Sequence, residues 1–432
     1  MGKPNILVDS FNLGLKHGSG IKTYGATLLD AYKKLNFDVG IFADNKFVQG
    51  KNPILDEVMF FDQQFKLPKQ RFNSKYWEVL RDSIQLVKSK PVSTFPVNVT
   101  SPDINNYLSK AAAESKYSYI CNAHDAFHSA NRFFYVFKRS VKFKLAKKPD
   151  IWHMTTPLPI SIKGTKTVIT VHDLIPLKVP FTTLDIKNNF YYLFKWACKS
   201  ADMILSVSEQ TKKDIIDIYK IPEEKIKTTW QSVKKIKSYT DGDLEFDEKY
   251  LKSNKINKEK YVLFVGNIEP KKNIKSLITA MSFVNPNIKL VIVGKKAWLW
   301  EDQLKNVKKY LDDERVVFMD FIDDDELSVL YRNASCLVFP SLYEGFGLPV
   351  LEAMQHNCPV ICSGITSLPE VAGDAALYID PYDYKDIRNK ISAILHNPEL
   401  RMDMIEKGKK RVEFFSPENY ARRLESAYSS LV

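Results

Sequence analysis

The chain lacks any run of about eighteen consecutive apolar residues, so a membrane-spanning helix is not what organises it. Cysteine is sparse. Cys121, Cys198, Cys336, Cys358 and Cys362 are too few and odd in number for a disulfide framework. Cys358 and Cys362 stand four apart, but the Pro-Val-Ile between them reads as strand, which argues against a zinc site. No signature of a nucleic-acid-binding module stands out, and nucleic acid is not an expected partner. The polar start lacks a signal-peptide pattern, so a soluble cytoplasmic chain is expected. Residues 50–118 show no firm hydrophobic period and say least about the fold.

What is present suits two globular α/β domains: 432 residues, 44% of them hydrophobic and 12% aromatic. A net charge of +12 calls for an anionic partner, and phosphorylated substrate or anionic lipid fits best.

The densest information lies in residues 334–381. An apolar strand at 336–339 runs into the polar, Gly-rich turn 341–347, and Pro349 fits the first turn of a helix. A second apolar strand, 359–362, completes a βαβ unit. Glu344 sits in the turn, and Glu352 is expected in the first turn of the helix. Both carboxylates then border the crevice where open parallel sheets bind ligands. Gly345 and Gly347 allow close backbone approach, and the free amides of the helix start suit phosphate. Carboxylates for hydroxyls and amides for phosphate together describe a sugar nucleotide. The same Glu could instead only complement the helix dipole.

Residues 344–354, EGFGLPVLEAM, followed by PVI at 359–361 and SLPEVAGDAA at 367–376, resemble the donor-site signature of the retaining glycosyltransferases of family four. That resemblance covers about forty residues and includes two glutamates separated by seven others. It implies donor contacts from Glu344, Gly345, Phe346, Gly347, Leu348 and Glu352, with Glu344 on sugar hydroxyls and Glu352 on the ribose. Asn357 stands where the family usually has Gly, and Asn also tolerates a left-handed helix end.

Elsewhere the chain supplies matching parts. A strand at 5–9 leads through the loop HGSG, 17–20, to a helix at 21–35; the loop resembles the family's amino-terminal Gly-rich loop, which places Gly18 and Gly20 near the donor. The stretch GNIEPKKN, 266–273, follows a strand at 261–265 and precedes a helix at 274–283. It resembles the phosphate-binding loop, with Lys272 matching the characteristic lysine and Lys271 replacing a common arginine. Asn267 follows Gly266 where many members carry arginine, so the second cation is expected from Lys271. VHDLIP, 171–176, resembles a stretch of mannosyl- and related transferases and brings His172 and Asp173 to the transferred sugar. His153, at the end of a strand near 150–153, is a weaker acceptor-side candidate. His124, Asp125 and His128 have spacing that a metal could use, although acceptor contacts or capping fit them better, and neither metal nor cofactor is expected.

From 132 to 143 the aromatics Phe133, Phe134, Phe137 and Phe143 separate on a helical wheel from Arg132, Lys138, Arg139 and Lys142. Such a helix either packs into its own domain or lies on an anionic membrane, in which case 132–148 makes a peripheral contact at the cytoplasmic face. The polar stretch 233–259 is expected as the interdomain linker, and the helix 417–431 as one that crosses back to the first domain.

Together these readings predict the GT-B architecture, two Rossmann-like domains facing each other across a cleft: 1–232 for the acceptor and 260–416 for the nucleotide sugar. The expected reaction is metal-independent, retaining transfer of a hexose, with mannose from GDP-mannose favoured, to a glycan or lipid-linked glycan. Lys272, His172, Asp173 and Glu344 carry the chemistry. Donors based on UDP or dTDP remain open, as do a non-hydrolysing sugar-nucleotide epimerase and a non-catalytic basic module binding membrane or nucleic acid.

Overall fold

The computed structural model describes residues 3–13, 20–45, 92–93, 95–97, 111, 114, 116–123, 125–145, 147–234, 240–305, 307–311, 313–320 and 322–431. Gly18, His124 and most of 50–118 lie outside the described residues.

In the first half the strands are β1 (Asn5–Asp9), β2 (Asp38–Ala43), β3 (Val92–Ser93), β4 (Phe95–Val97), β5 (Tyr119–Asn122), β6 (Val141–Lys144), β7 (Ile151–Met154), β8 (Ile160–Ile162), β9 (Lys166–Val171), β10 (Met203–Ser206) and β11 (Ile226–Thr228). The second half holds β12 (Tyr261–Val265), β13 (Lys289–Val293), β14 (Val316–Met319), β15 (Cys336–Phe339), β16 (Val360–Ser363) and β17 (Ala376–Ile379). The main sheet of the first half runs β11-β10-β9-β7-β1-β2-β5-β4, parallel except for the β4–β5 pair. The second sheet is wholly parallel, in the order β14-β13-β12-β15-β16-β17. Continuous apolar runs such as Val262-Leu263-Phe264 suit such strands, because helices bury both faces of a parallel sheet.

Strand order reverses once in each large sheet. In the second, the chain steps outward from β12 to β14 and returns to β15 beside β12, so a crevice opens at the carboxyl ends of β12 and β15. In the first, the corresponding point lies between β1 and β7, where Asp9 and Thr155 emerge. The two crevices supply the walls of one cleft.

Helix Pro417–Ser429 returns to the first half: Tyr420, Leu424 and Tyr428 are buried in the same cluster as Tyr24, Leu28 and Tyr32 of helix Gly20–Lys34. His153 belongs to this core as well. Its Nδ1 is bonded by the hydroxyls of Tyr32 and Tyr428, at 2.5 and 2.8 Å, and its Nε2 lies 2.8 Å from the Thr170 hydroxyl. Fully buried, with burial pushing its pKa down to about 3, His153 is a neutral strut and not an acceptor contact.

Two expected elements are corrected. The stretch 132–143 is not one helix. Helix Ala126–Phe137 closes at Lys138, whose left-handed backbone (φ 53°) donates its N–H to Phe134, and the chain continues as β6 between β3 and β8. Val141 and Phe143 point into the core while Lys142 and Lys144 face outward, the period of two that a strand imposes. In 233–259, read as linker, helix Asp241–Ser253 opens with a capping box at Thr240 and packs on the second domain. Leu251 enters that domain's core, and Asp247 pairs with Arg332 at 2.6 Å.

Candidate active site

The loops leaving β12 and β15 lie against each other. The N–H of Leu342 donates to the carbonyl of Lys271 at 2.7 Å, and the Asn273 side-chain amide donates to the carbonyls of Pro340 and Pro381. This ties the lysine loop to the Glu344 loop. Gly266 at φ 147° and Gly294 at φ 149° let the turns after β12 and β13 come together, since a Cβ on Gly294 would stand 2.0 Å from the carbonyl oxygen of Gly266.

At the junction, Lys272 Nζ lies 2.5 Å from Glu344 Oε1 and 4.7 Å from the centre of the Phe339 ring, with both side chains about one-tenth exposed. Burial alone would raise the Glu344 carboxyl, but Lys272 and Lys271 hold it below the usual glutamate value. Lys271 pairs with Glu269 at 3.4 Å; although burial disfavours its charge, Glu344, Glu269 and Asp173 keep it firmly protonated. Two ammonium groups and one ionised carboxylate therefore converge at the switch point.

The first domain answers from β9. His172 Nε2 donates to the carbonyl of Thr155 at 2.9 Å, which fixes the neutral tautomer and leaves Nδ1 as an acceptor. Burial pushes this imidazole down to about 4, against the opposing hydrogen bond, and Tyr24 meets it edge-on at 4.8 Å. Asp173 accepts the Ile175 N–H at 3.0 Å; burial raises its pKa, Lys271 opposes, and Glu344 and Asp185 add to the rise. His172, Asp173 and Lys271 line a common cleft of about 370 Å³ with Asp185, Asn131 and the apolar Phe11, Phe190 and Leu193.

At Gly345 the backbones of the two halves approach closely. A Cβ there would lie 2.1 Å from the carbonyl oxygen of His172 and 2.9 Å from Asp173 Cβ. Gly347 (φ 114°) caps helix Leu348–Gln355, and a Cβ on Gly20 would lie 3.9 Å from Leu348 Cδ1 across the cleft. The side chains of Phe346 and Leu348 are largely buried in the second domain's core, with Phe346 against Phe415. Asn267 is exposed beside Gly266. Glu352 is corrected: it is the fifth residue of its helix, in the second turn, half-buried, and its carboxylate accepts the Tyr331 hydroxyl at 3.0 Å. Asp125 opens helix Ala126–Phe137 and His128 is exposed on it.

Asp9, Thr155 and Asp185 went unread in the sequence. Asp9 is fully buried at the end of β1, where burial pushes it up to about 6. It accepts the backbone N–H and, at 2.9 Å, the hydroxyl of Thr155, and thereby aims the carbonyl that orients His172. A lone Asp at the end of an apolar strand, NILVD, was the available signal.

Comparison with known proteins agrees with this arrangement. A family model described as Glycosyl transferases group 1 matches residues 246–411, and one described as Glycosyltransferase Family 4 matches 123–231. O-antigen chain mannosyltransferase B of Escherichia coli is 31% identical over 273 residues, covering 62% of this chain and 71% of the relative. O-antigen chain mannosyltransferase RfbU of Salmonella typhimurium is 34% identical over 260 residues, covering 60% and 68%. Among solved structures, sucrose-phosphate synthase from Thermosynechococcus elongatus superposes with a TM-score of 0.64 at 18% identity, over 99% of both chains. HepE of Anabaena, solved with UDP and glucose, gives 0.64 at 13% identity over 99% of this chain and 100% of its own. With two Rossmann-like sheets meeting at their switch points in the GT-B manner, the chain belongs to the family-four, group 1 glycosyltransferases.

Proposed function

We propose that the protein is a retaining mannosyltransferase that moves mannose from GDP-mannose to a hydroxyl of a glycan or lipid-linked glycan without a divalent metal. The observation that carries the reading is the Lys272–Glu344 pair, with Lys271 beside it, at the β12–β15 switch point opposite His172 and Asp173. As the bond from the sugar's anomeric carbon to the diphosphate breaks, the electron pair leaves with the phosphate oxygen. Lys271, Lys272 and the loop amides neutralise that charge in the place a metal would occupy. Glu344 holds sugar hydroxyls. The acceptor oxygen bonds to the same face of the anomeric carbon, and its proton passes to the departing phosphate oxygen, so no protein nucleophile is needed. His172, neutral with Nδ1 free to accept, orients a sugar hydroxyl. The sugar is chosen from the mannosyltransferase relatives and the VHDLIP stretch; the Tyr331 contact leaves Glu352 a ribose role only if that hydroxyl shares it.

Transfer assays with GDP-mannose, UDP-glucose and dTDP-sugars, in EDTA and with added Mg²⁺, test this directly. Activity with GDP-mannose in EDTA, giving a product of unchanged anomeric configuration, is the expected result. Loss in EDTA restored by Mg²⁺ would remove metal independence, and an inverted product would remove retention.

The same reading includes peripheral contact with an anionic membrane near 132–148. Its support is an exposed cluster: Tyr135, Val136 and Phe137 at the helix end, Lys138 and Arg139 beyond it, and Lys142 and Lys144 on the outer face of β6. No acidic residue interrupts the sequence from 126 to 149. Flotation with anionic vesicles should recover the protein, weakening as salt shortens the Debye length from about 10 Å at 0.1 M to about 3 Å at 1 M. Equal recovery with neutral vesicles would sink the contact.

A further inference from the structure

Glu370 stands on the short helix Leu368–Ala372 of the second domain, yet its carboxylate is engaged by the first. Oε1 accepts the N–H of Glu209 at 2.7 Å and the indole N–H of Trp230 at 2.5 Å, and Oε2 accepts the N–H of Gln210 at 3.4 Å. Glu209 and Gln210 begin the helix Glu209–Tyr219, and the next amide, that of Thr211, is taken by the Ser208 cap at 3.0 Å. A helix leaves its first amides without partners inside itself, and its positive end favours a carboxylate. Here the second domain supplies that carboxylate.

The same turn reaches the active site on its other side. The Thr211 hydroxyl lies 3.2 Å from the carbonyl oxygen of His172 and 3.4 Å from that of Gly345, bridging the two loops whose approach the missing Cβ of Gly345 permits. A further link follows one turn on. Buried Asp214 accepts the Tyr343 hydroxyl from the second domain, the Gln210 side-chain amide at 3.0 Å and Lys178 at 3.0 Å. Helix Glu209–Tyr219 is thus held by the second domain at Glu370 and Tyr343, while Thr211 sits between them on His172.

We propose that Glu370 is a positioning residue for glycosyl transfer: by clasping the amide end of helix Glu209–Tyr219 across the domain boundary, it sets through Thr211 the separation between His172 and the Glu344–Gly345 loop. The Glu209 and Gln210 amides lie on the first domain and the carboxylate on the second, so parting the domains returns those groups to water, while the Trp230 indole stays packed on Phe414. The exchange of protein for water partners makes such bonds modest in net strength, which suits a contact that forms and releases in each cycle. This inference rests on the transferase reading above, because the separation it sets matters only if donor and acceptor meet between the domains.

The test uses the full chain and three variants, Glu370→Ala, Glu370→Gln and Trp230→Phe, with GDP-mannose as donor and GDP or UDP as binding probes. Glu370→Ala should lower kcat by about tenfold or more, the worth of a lost charge-assisted cap. Its affinity for the nucleotide should stay within about twofold of wild type, since Lys271, Lys272 and Glu344 belong to one domain. Glu370→Gln, which still offers an oxygen to the amides, should recover part of the loss, and Trp230→Phe should lose less than Glu370→Ala. Small-angle scattering should give nucleotide-bound Glu370→Ala a larger radius of gyration than nucleotide-bound wild type. Equal radii, or nucleotide affinity falling in step with kcat, would overturn the clasp. If wild type transfers no sugar from any nucleotide, the transferase reading fails alone, and scattering still decides the clasp.

Discussion

Lys272 and Glu344 face each other at 2.5 Å with little water around them, so each is the other's main compensation for burial. Removing Glu344 takes the ion-pair partner from Lys272, and removing Lys272 leaves the Glu344 carboxylate only Lys271; breaking a buried pair costs about 3–5 kcal/mol. Lys272→Met and Glu344→Ala should each reduce transfer by about tenfold or more while the protein stays folded. Steady-state kinetics beside circular dichroism checks this, and near-normal kcat in both variants would dismiss the pair from the chemistry. Gly345→Ala tests geometry instead of charge. Its Cβ would collide with the His172 carbonyl, so the loops must move apart, and misplacement by an ångström costs on the order of a hundredfold in rate. Wild-type kcat in that variant would show that the loops need not meet. A third prediction concerns protons. His172 has its pKa lowered from 6.5 to about 4 by burial, so between those values the unfolded chain binds more protons than the folded one. The stability tied to a neutral His172 is complete above about 6.5 and drains away as pH falls toward about 4. Wild type should therefore lose stability relative to His172→Gln across that window, read from urea midpoints at several pH values. A difference that stays constant with pH would mean that the imidazole is not held neutral.

At the scale of elements, β6 shows how one sequence fits two periods. Phe133, Phe134, Phe137 and Val141 satisfy helical spacing, whereas Val141 and Phe143 alternate with Lys142 and Lys144 as in a strand. Periodicity alone cannot choose between them. The choice falls to partners: β3 and β8 pair with β6, and Lys138 closes the preceding helix in the left-handed region. Phe143→Ala should then cost about 3–5 kcal/mol, as for a buried phenylalanine, while Lys142→Glu and Lys144→Glu on the outer face stay within about 0.5 kcal/mol. Denaturant melts of the three variants settle the point, and a mild Phe143→Ala would restore the single-helix reading. The helix Asp241–Ser253 teaches the same lesson in reverse. Its polar composition reads as linker, yet Leu251, Tyr250 and the Asp247 contacts to Arg332 and Asn333 dock it on the second domain.

The whole molecule is closed on itself by its last helix. Tyr428 reaches Tyr32 and His153 in a buried hydroxyl–imidazole hub, and Tyr420 and Leu424 fill the first domain's core beside it. Deleting 417–432 would strip several fully buried side chains from that core, each worth about 1.5–3 kcal/mol. The truncated chain should show a first domain that melts earlier and separately from the second, by calorimetry. A single unshifted transition would mean that the helix is dispensable to the first domain.

The sequence by itself determined the parts whose chemistry is local. The βαβ punctuation around β15 and β16, the glycines that need unusual backbone, the lysine loop and the VHDLIP strand end were all legible, because turn residues, strand runs and motif spacing act over a few neighbours. The tertiary structure alone decided what depends on distant partners. It placed Glu352 under Tyr331, turned His153 into a core strut, buried Phe346 and Leu348, and made β6 a strand. It also joined Asp9 to Thr155 across 146 residues and Glu370 to Glu209 across 161. Burial and hydrogen-bond partnership are properties of the assembled chain, and a residue's type and neighbours in sequence leave them open.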